Sequence, residues 1–309
     1  MIAAAALLAG CAKEIEGGEE GYSLRFGAAT LDVMPSEEPA TRSQAAPESL
    51  ELRSDDGSVI SLSLESVAGT NTACTKGTPI EETVSSFYAK GFTGSRQWFP
   101  ASGDAEQVTV GNTYSDYKWR PGVEHTFYGY ANMPSGSDVA VASVTGIGVS
   151  LDYKAVPKSA SAQNDILLGR YSGDGKGESS QYCGATLMFS HPLAAVSFTN
   201  GFQSGSGVTA ITGVTLSGVY ASGKTSLDMD TPTEGWRTEY TWDVSSSTKQ
   251  DVTSSGISDS FMLIPQNLTT SHVVMFVTVT RGVEPYTYMG LLETGEWKSG
   301  NSYAYSIHD

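Results

Sequence analysis

Cysteine and basic residues are scarce in this chain. Its three cysteines, Cys11, Cys74 and Cys183, stand far apart in 309 residues. None forms a CxxC pair, so neither a zinc knuckle nor a thioredoxin-type redox couple is written here. Lys and Arg number 18 against 34 acidic residues, for a net charge of −16. A field of that sign repels phosphate backbones and anionic lipid, which excludes nucleic acid as a partner. The four histidines, His125, His191, His272 and His308, fall in no HExxH or related zinc spacing. No GxSxG elbow presents a serine nucleophile. "GDGKGES" lacks the strand-to-helix setting of a phosphate loop. "DMDTPTEG", with Asp228, Asp230 and Glu234, fails the spacing of a calcium loop and reads as a solvated turn. No amphipathic pattern of three helical turns occurs. Beyond the first ten residues no apolar run approaches the length of about 20 that crosses a bilayer as a helix. These gaps leave no catalytic constellation, and neither a cofactor nor a metal is expected.

What is present is strand-forming sequence. Hydrophobic residues make up 39% of the chain and aromatics 10%, enough for a sizeable core, while charged residues are only 17%. Ser, Thr and Gly are abundant, the balance of an extracellular β protein. Period-2 alternation recurs almost throughout. "YSLRF" sets Tyr22, Leu24 and Phe26 on one face, and "VISLSLE" sets Ile60, Leu62 and Leu64 against Ser61 and Ser63. "VEHTFYGYA", "ATLMFS", "AAVSFTN", "ITGVTLSGVY", "RTEYTWDV", "SFMLIP", "HVVMFVTVT" and "EPYTYMGLL" follow. Asp55 and Asp56 before Gly57 read as a hairpin turn. Numerous strands separated by turn signals predict an all-β fold of sandwiches or barrels. Two stretches break the pattern. Residues 32–49 are rich in Pro, Ser and Glu and predict an exposed loop; residues 170–181, "RYSGDGKGESSQ", predict a linker. The expected division is an N-terminal β-sandwich domain over 21–175 and a C-terminal one over 176–309.

The first residues answer a question of location. Residues 1–10 are apolar or small and run into Cys11 through "LLAGC", residues 7–11. That run fits the core of a signal peptide, and the leucine-small-Gly-Cys ending resembles the bacterial lipobox, in which the peptide is cut before the cysteine and lipid joins its thiol. Cys11 is the expected lipidation site. No Lys or Arg precedes the run, so the expected peptide over 1–10 is one shortened at its start. Residues 11–20, acidic and Gly-rich, predict a solvated tether. They also resemble the acidic surface-export tag of some Gram-negative lipoproteins; a plain polar linker is the alternative.

From Tyr117 onward a family resemblance is carried by five segments in order. "YKWRPGVEHTFYGYA" is similar to the aromatic-Trp-x-x-Gly…Phe-x-x-Tyr-Ala strand pair of fimbrillin-like proteins. "NDILLGRYSG" resembles their Asp-(Leu/Ile)-Leu segment, and "LMFSHPLAAVSF" their Phe-x-His-x-(Leu/Met)-Ala-x-(Val/Ile)-x-Phe strand. "FMLIPQNL" and "GEWKSGNSYAYSI" resemble their Pro-Gln strand end and closing Trp-x-x-Gly-x-x-Tyr-x-Tyr strand. The resemblance implies two tandem transthyretin-like β-sandwich domains and a non-enzymatic role as subunit of an adhesive pilus, or as a pilus-related surface lipoprotein held to the outer membrane. It implies that an Arg-specific protease removes the first strand, so that the groove accepts a strand from the next subunit. In β-augmentation of that kind main-chain hydrogen bonds supply affinity and alternate side-chain pockets supply register.

Carried onto this sequence, the processing site is Arg42 in "PATRSQ", and Tyr22, Leu24 and Phe26 fill the groove beforehand. A second site is Lys76 in "CTKGTPI", where relatives often have Thr-Arg-Gly; lysine there departs from the pattern. The implied partners are other pilus subunits, the outer membrane through the lipid on Cys11, and a host or bacterial surface ligand. Shaft subunits are expected to continue past "YAYSIHD" into a donor segment, so this chain fits a truncated, anchor, tip or accessory subunit. A surface glycan-binding lipoprotein, suggested by the Trp and Tyr content, is the alternative. The lipobox makes one direct test: Cys11→Ala should abolish incorporation of a clickable fatty acid in cells, and persistent labelling of that variant would remove Cys11 as the lipid site.

Overall fold

Alternating side chains with many β-branched and aromatic residues favour pleated, half-buried backbone, and strands dominate the protein. The computed structural model describes residues 22–26, 29–31, 50–69, 83–119, 122–174, 184–234 and 237–309. Among these residues the one α-helix is the single turn Leu268–Ser271, whose first turn is capped by Asn267 accepting from the Thr270 N–H. No helix among them is long and apolar enough to cross a membrane. Cys11, Cys74 and Cys183 all lie outside the described residues.

Two sheets organise the fold. The larger has nine strands in the order Lys249–Ser254, Val208–Tyr220, Val273–Arg281, Glu284–Leu292, Leu50–Arg53, Val59–Gly69, Asn301–His308, Ala194–Asn200, Phe261–Leu263. The smaller has eight, running Thr83–Val84, Ala29–Leu31, Met188–Ser190, Leu167–Gly173, His125–Ala131, Ser86–Thr93, Arg96–Phe99, with Glu106–Thr109 also on Ser86–Thr93. A three-stranded sheet, Ala140–Thr145, Gly148–Tyr153 and Gly223–Leu227, adds Val149, Leu151, Tyr153 and Leu227 to the core of the larger one.

The pairing crosses the expected line at 175. Leu50–Arg53 and Val59–Gly69, from the first half of the chain, sit in the middle of a sheet otherwise made of residues 194–308. Their Leu52, Ile60 and Leu62 are buried among Val196, Val277, Tyr288 and Ile307. The hairpin between them turns at Asp55–Gly57, where Gly57 takes φ +84° and Asp56 accepts from the Ser58 N–H at 2.9 Å. Hydrogen bonds from Ser54 and Ser58 hold the Asp56 carboxyl down at about 2.

The expected linker also differs. Its first residues continue the strand Leu167–Gly173, paired with His125–Ala131 from Leu167↔Ala131 to Gly173↔His125. Arg170 is fixed by donating to the carbonyl of Asp228 and, at 3.1 Å, to that of Thr231. Glycine and serine there do not break the strand because the paired backbone, not the side chain, supplies its hydrogen bonds. The expected strand over 237–244 shrinks to Arg237–Thr238.

Much of the smaller sheet is covered on both faces, with Tyr88 and Met188 left exposed. Phe87, Phe127 and Phe189 face an aromatic core, while Phe92, Tyr128 and Leu168 face the core of the larger sheet. Both phases of the His125–Ala131 alternation are therefore covered, which simple alternation did not distinguish.

The chain passes from one sheet to the other at "SHPLA". Met188–Ser190 ends in the smaller sheet and Ala194–Asn200 begins in the larger. At the corner the buried His191 ring donates from Nδ1 to Asp165 Oδ1 at 2.8 Å. Both residues belong to the segments that carry the family resemblance. The closing segment has its own network: Trp297 Nε1 donates to the Tyr305 hydroxyl at 3.1 Å, and the Lys298 N–H to that of Tyr303 at 2.8 Å.

Because the larger sheet draws its centre from residues 50–69, a fragment comprising residues 184–309 should not fold alone. Near-ultraviolet circular dichroism should show no fixed tertiary signal, and in the full chain Leu52→Ala should cost about 2–5 kcal/mol by denaturant titration. A folded, cooperative fragment would contradict this.

Candidate functional site

The aromatic core of the smaller sheet is completed by residues from the start of the described chain. Tyr22–Arg25 pairs antiparallel with Thr113–Trp119, in the register Tyr22↔Trp119, Ser23↔Lys118, Leu24↔Tyr114 and Arg25↔Thr113, with a bulge between Ser23 and Leu24. Among the described residues Thr113–Trp119 has no other ladder partner. The Lys118 ammonium adds a bond to Ser23 Oγ at 3.0 Å. Phe26 follows in an isolated parallel bridge to Ala185, and Ala29–Leu31 then pairs on both sides, parallel with Met188–Ser190 and antiparallel with Thr83–Val84.

The burial of this segment is uneven in a useful way. Leu24 and Phe26 are fully buried, whereas Tyr22 is half-buried and packs on the edge of the same core. Phe26 is a hub: its ring lies 5.5 Å from Phe87, 5.5 Å from Phe99, 5.7 Å from Tyr114 and 5.4 Å from Phe127, mostly edge to face. That geometry suits the aromatic quadrupole and adds to the area term. Tyr114 is anchored by accepting from the Thr109 N–H at 3.2 Å, and burial raises its phenol above the ordinary value.

Main-chain bonds seat the segment as well. The Gly111 N–H donates to the Phe26 carbonyl at 3.0 Å and the Ala185 N–H to that of Arg25 at 2.9 Å. Gly184 permits this approach: it takes φ +85°, and a Cβ there would collide with the Arg25 carbonyl. The arrangement can do one thing chemically. It is an aromatic groove, walled by Phe87, Phe99, Tyr114 and Phe127, that takes up an extended segment through alternate apolar side chains and paired backbone.

Of the residues singled out in the sequence, Tyr22, Leu24 and Phe26 fall in this groove. Cys11, Arg42 and Lys76 lie outside the described residues. Arg42 belongs to the connection between Ala29–Leu31 in the smaller sheet and Leu50–Arg53 in the larger; Lys76 belongs to the connection between Val59–Gly69 and Thr83–Val84. Asp228 serves its turn, accepting from the Thr231 hydroxyl at 2.8 Å. The Asp165–His191 pair escaped the sequence reading, although both residues stand in the segments of family resemblance. Its free atoms, Asp165 Oδ2 and His191 Nε2, meet no hydrogen-bond partner among the described residues.

Phe26→Ala should therefore cost about 3–5 kcal/mol of stability, and Gly184→Val should loosen the same segment through strain at positive φ. Hydrogen exchange should report the loss first at residues 113–119. Equal loosening across the larger sheet would count against a local groove.

The sequence over residues 83–308 matches the family model described as fimbrillin-like. Among solved structures the chain is similar to a candidate cell adhesion protein from Bacteroides uniformis, at 12% identity and TM-score 0.44, over 88% of this chain and 94% of that one. It is also similar to a fimbrial assembly protein from Parabacteroides distasonis, at 13% identity and TM-score 0.34, over 78% of this chain and 88% of that one. A fimbrial protein from Bacteroides ovatus matches at 11% identity and TM-score 0.37, over 95% of this chain and 50% of that one. No curated protein matches the sequence. The family match takes in strands of both sheets, from the edge strand at Thr83 to the closing strand ending at His308, and on it the chain belongs to the fimbrillin-like family.

Proposed function

We propose that this protein is a non-enzymatic surface subunit of an adhesive pilus, anchored through lipid on Cys11 and joined to other subunits by exchange of its opening strand. The observation that carries the reading is the seating of Leu24 and Phe26. They fill a preformed aromatic groove from a short segment that the chain leaves at once, entering the other sheet by residue 50. Membership of the fimbrillin-like family supports a fimbrial, cell-surface setting and association with other subunits.

Removal of the segment would uncover the Leu24 and Phe26 sites, about 1.5–3 kcal/mol of apolar burial each. It would also strip Thr113–Trp119 of its ladder. An unpaired strand beside an open apolar groove favours uptake of a replacement strand.

The two candidate processing sites differ in what they would release. Cleavage after Arg42 frees the opening segment, including Ala29–Leu31 from between Met188–Ser190 and Thr83–Val84, and leaves Leu50–Arg53 and Val59–Gly69 in place. Cleavage after Lys76 would also free those two strands from the chain, with the buried Leu52, Ile60 and Leu62. It would leave the closing strand Asn301–His308 without its antiparallel neighbour. On this reading Arg42 is the less disruptive of the two sites, because the core of the larger sheet keeps its central strands.

Brief treatment with a trypsin-like protease should yield a new N-terminus at Ser43, and the trimmed protein should self-associate or take up a peptide with the sequence of residues 21–31. Arg42→Ala should keep its first strand and stay monomeric under the same treatment. If Arg42→Ala assembles as readily as the trimmed protein, strand exchange by this route is wrong. A product starting at Gly77 would transfer the role to Lys76.

A further inference from the structure

A second concave site lies beside the "SHPLA" corner, where its Tyr240 and Trp242 bond to Ser190 and Pro192. It is a cleft of about 430 Å³ bordered by Tyr240, Trp242, Gln266, Asn267, Trp297 and Ser299. We infer that this cleft binds an uncharged sugar residue.

The aromatic walls are held still by their polar ends. The Trp242 indole N–H donates to the Pro192 carbonyl at 2.9 Å, and the Tyr240 hydroxyl lies 2.6 Å from Ser190 Oγ. With those ends engaged at the sheet-to-sheet corner, the half-buried rings offer fixed apolar surface to the cleft. Trp297, buried and tied to Tyr305, borders the cleft without offering open ring surface.

Two polar side chains lining the same cleft are buried and unsatisfied. Gln266 is 5% exposed and Ser299 6%. Gln266 Oε1 accepts from the Tyr220 N–H at 3.3 Å, which orients the amide, yet its Nε2 has no partner among the described residues. Ser299 Oγ has none either. Both atoms are enclosed as they stand and meet a ligand hydroxyl only when their side chains turn toward the cleft; a buried donor without a partner is costly, so a ligand that draws them round is favoured over one that does not.

These features select a ligand class. A purely apolar ligand would cover the rings but leave Gln266 and Ser299 unsatisfied. An anion would enter against the net charge of −16. At the rim Lys298 Nζ is already 2.9 Å from Glu296, so its charge is spoken for. A neutral ring with hydroxyls at its edge and C–H groups on its face meets both demands, and the volume lies within the range of small-ligand sites. The inference does not rest on strand exchange: an intact monomer presents the cleft.

Saturation-transfer NMR on the full chain tests it, with the methyl glycosides of glucose, galactose, mannose and N-acetylglucosamine as probes. At least one should receive saturation at its ring protons. Thr241→Arg, at an exposed residue of the cleft wall, should block the mouth and weaken binding at least tenfold without changing the circular dichroism. Trp242→Ala should weaken it similarly. No transfer to any of the four glycosides, or binding that survives Thr241→Arg in the folded protein, overturns the inference.

Discussion

The closing strand Asn301–His308 is the constraint on which the larger sheet depends. It lies between Val59–Gly69, antiparallel, and Ala194–Asn200, parallel, and its alternate residues Tyr303, Tyr305 and Ile307 are buried. A strand flanked on both sides satisfies its backbone donors and acceptors fully. Withdrawing either neighbour would leave it as an edge whose apolar residues face water. The neighbours come from distant parts of the sequence, so the core of the larger sheet belongs to the chain as a whole. The smaller sheet shares this interdependence through a different device: over much of its area it is a middle layer, covered on both faces.

Against that background the opening segment is the least entangled piece of the fold. Leu24 and Phe26, with Tyr22 at the edge, fill a core whose other walls come from elsewhere in the chain, and Tyr22–Arg25 pairs with a strand that has no other ladder partner among the described residues; only Ala29–Leu31 is paired on both sides. The two properties pull together. The groove is deep enough for its occupant to matter energetically, yet no residue of the larger sheet's core lies in that occupant. A segment of this kind can be exchanged without unmaking the molecule. The cleft beside Trp242, by contrast, is lined by residues between Pro232 and Ser299, none of them in the opening segment.

Much of the strand content was legible in the sequence, because alternation is a local property. The strands around Phe127, Phe198, Leu216 and Val277 stand where the period-2 pattern puts them. Partnership was not legible, since nothing local in "VISLSLE" names Asn301–His308 as its neighbour. Glycine misled at Gly173: it stood in the stretch that suggested a linker, but it sits in a paired strand opposite His125. The groove was half legible. The common face of Leu24 and Phe26 was readable, but their receptor of Phe87, Phe99, Tyr114 and Phe127 comes from separated stretches. The cleft was not legible at all, because unsatisfied burial at Gln266 and Ser299 is a property of the assembled fold.

The pairing of Ser63 with His308 spans 245 residues, and that separation has a kinetic consequence. Contact order of this kind slows folding, because a very long loop must close before its contacts repay the entropy. The strand Val59–Gly69 emerges early and must wait, with an apolar face uncovered, until the last residues of the chain arrive. The larger sheet cannot lock until the closing strand Asn301–His308 has arrived. This delay also makes the waiting strand the stretch most in need of protection by a holding chaperone.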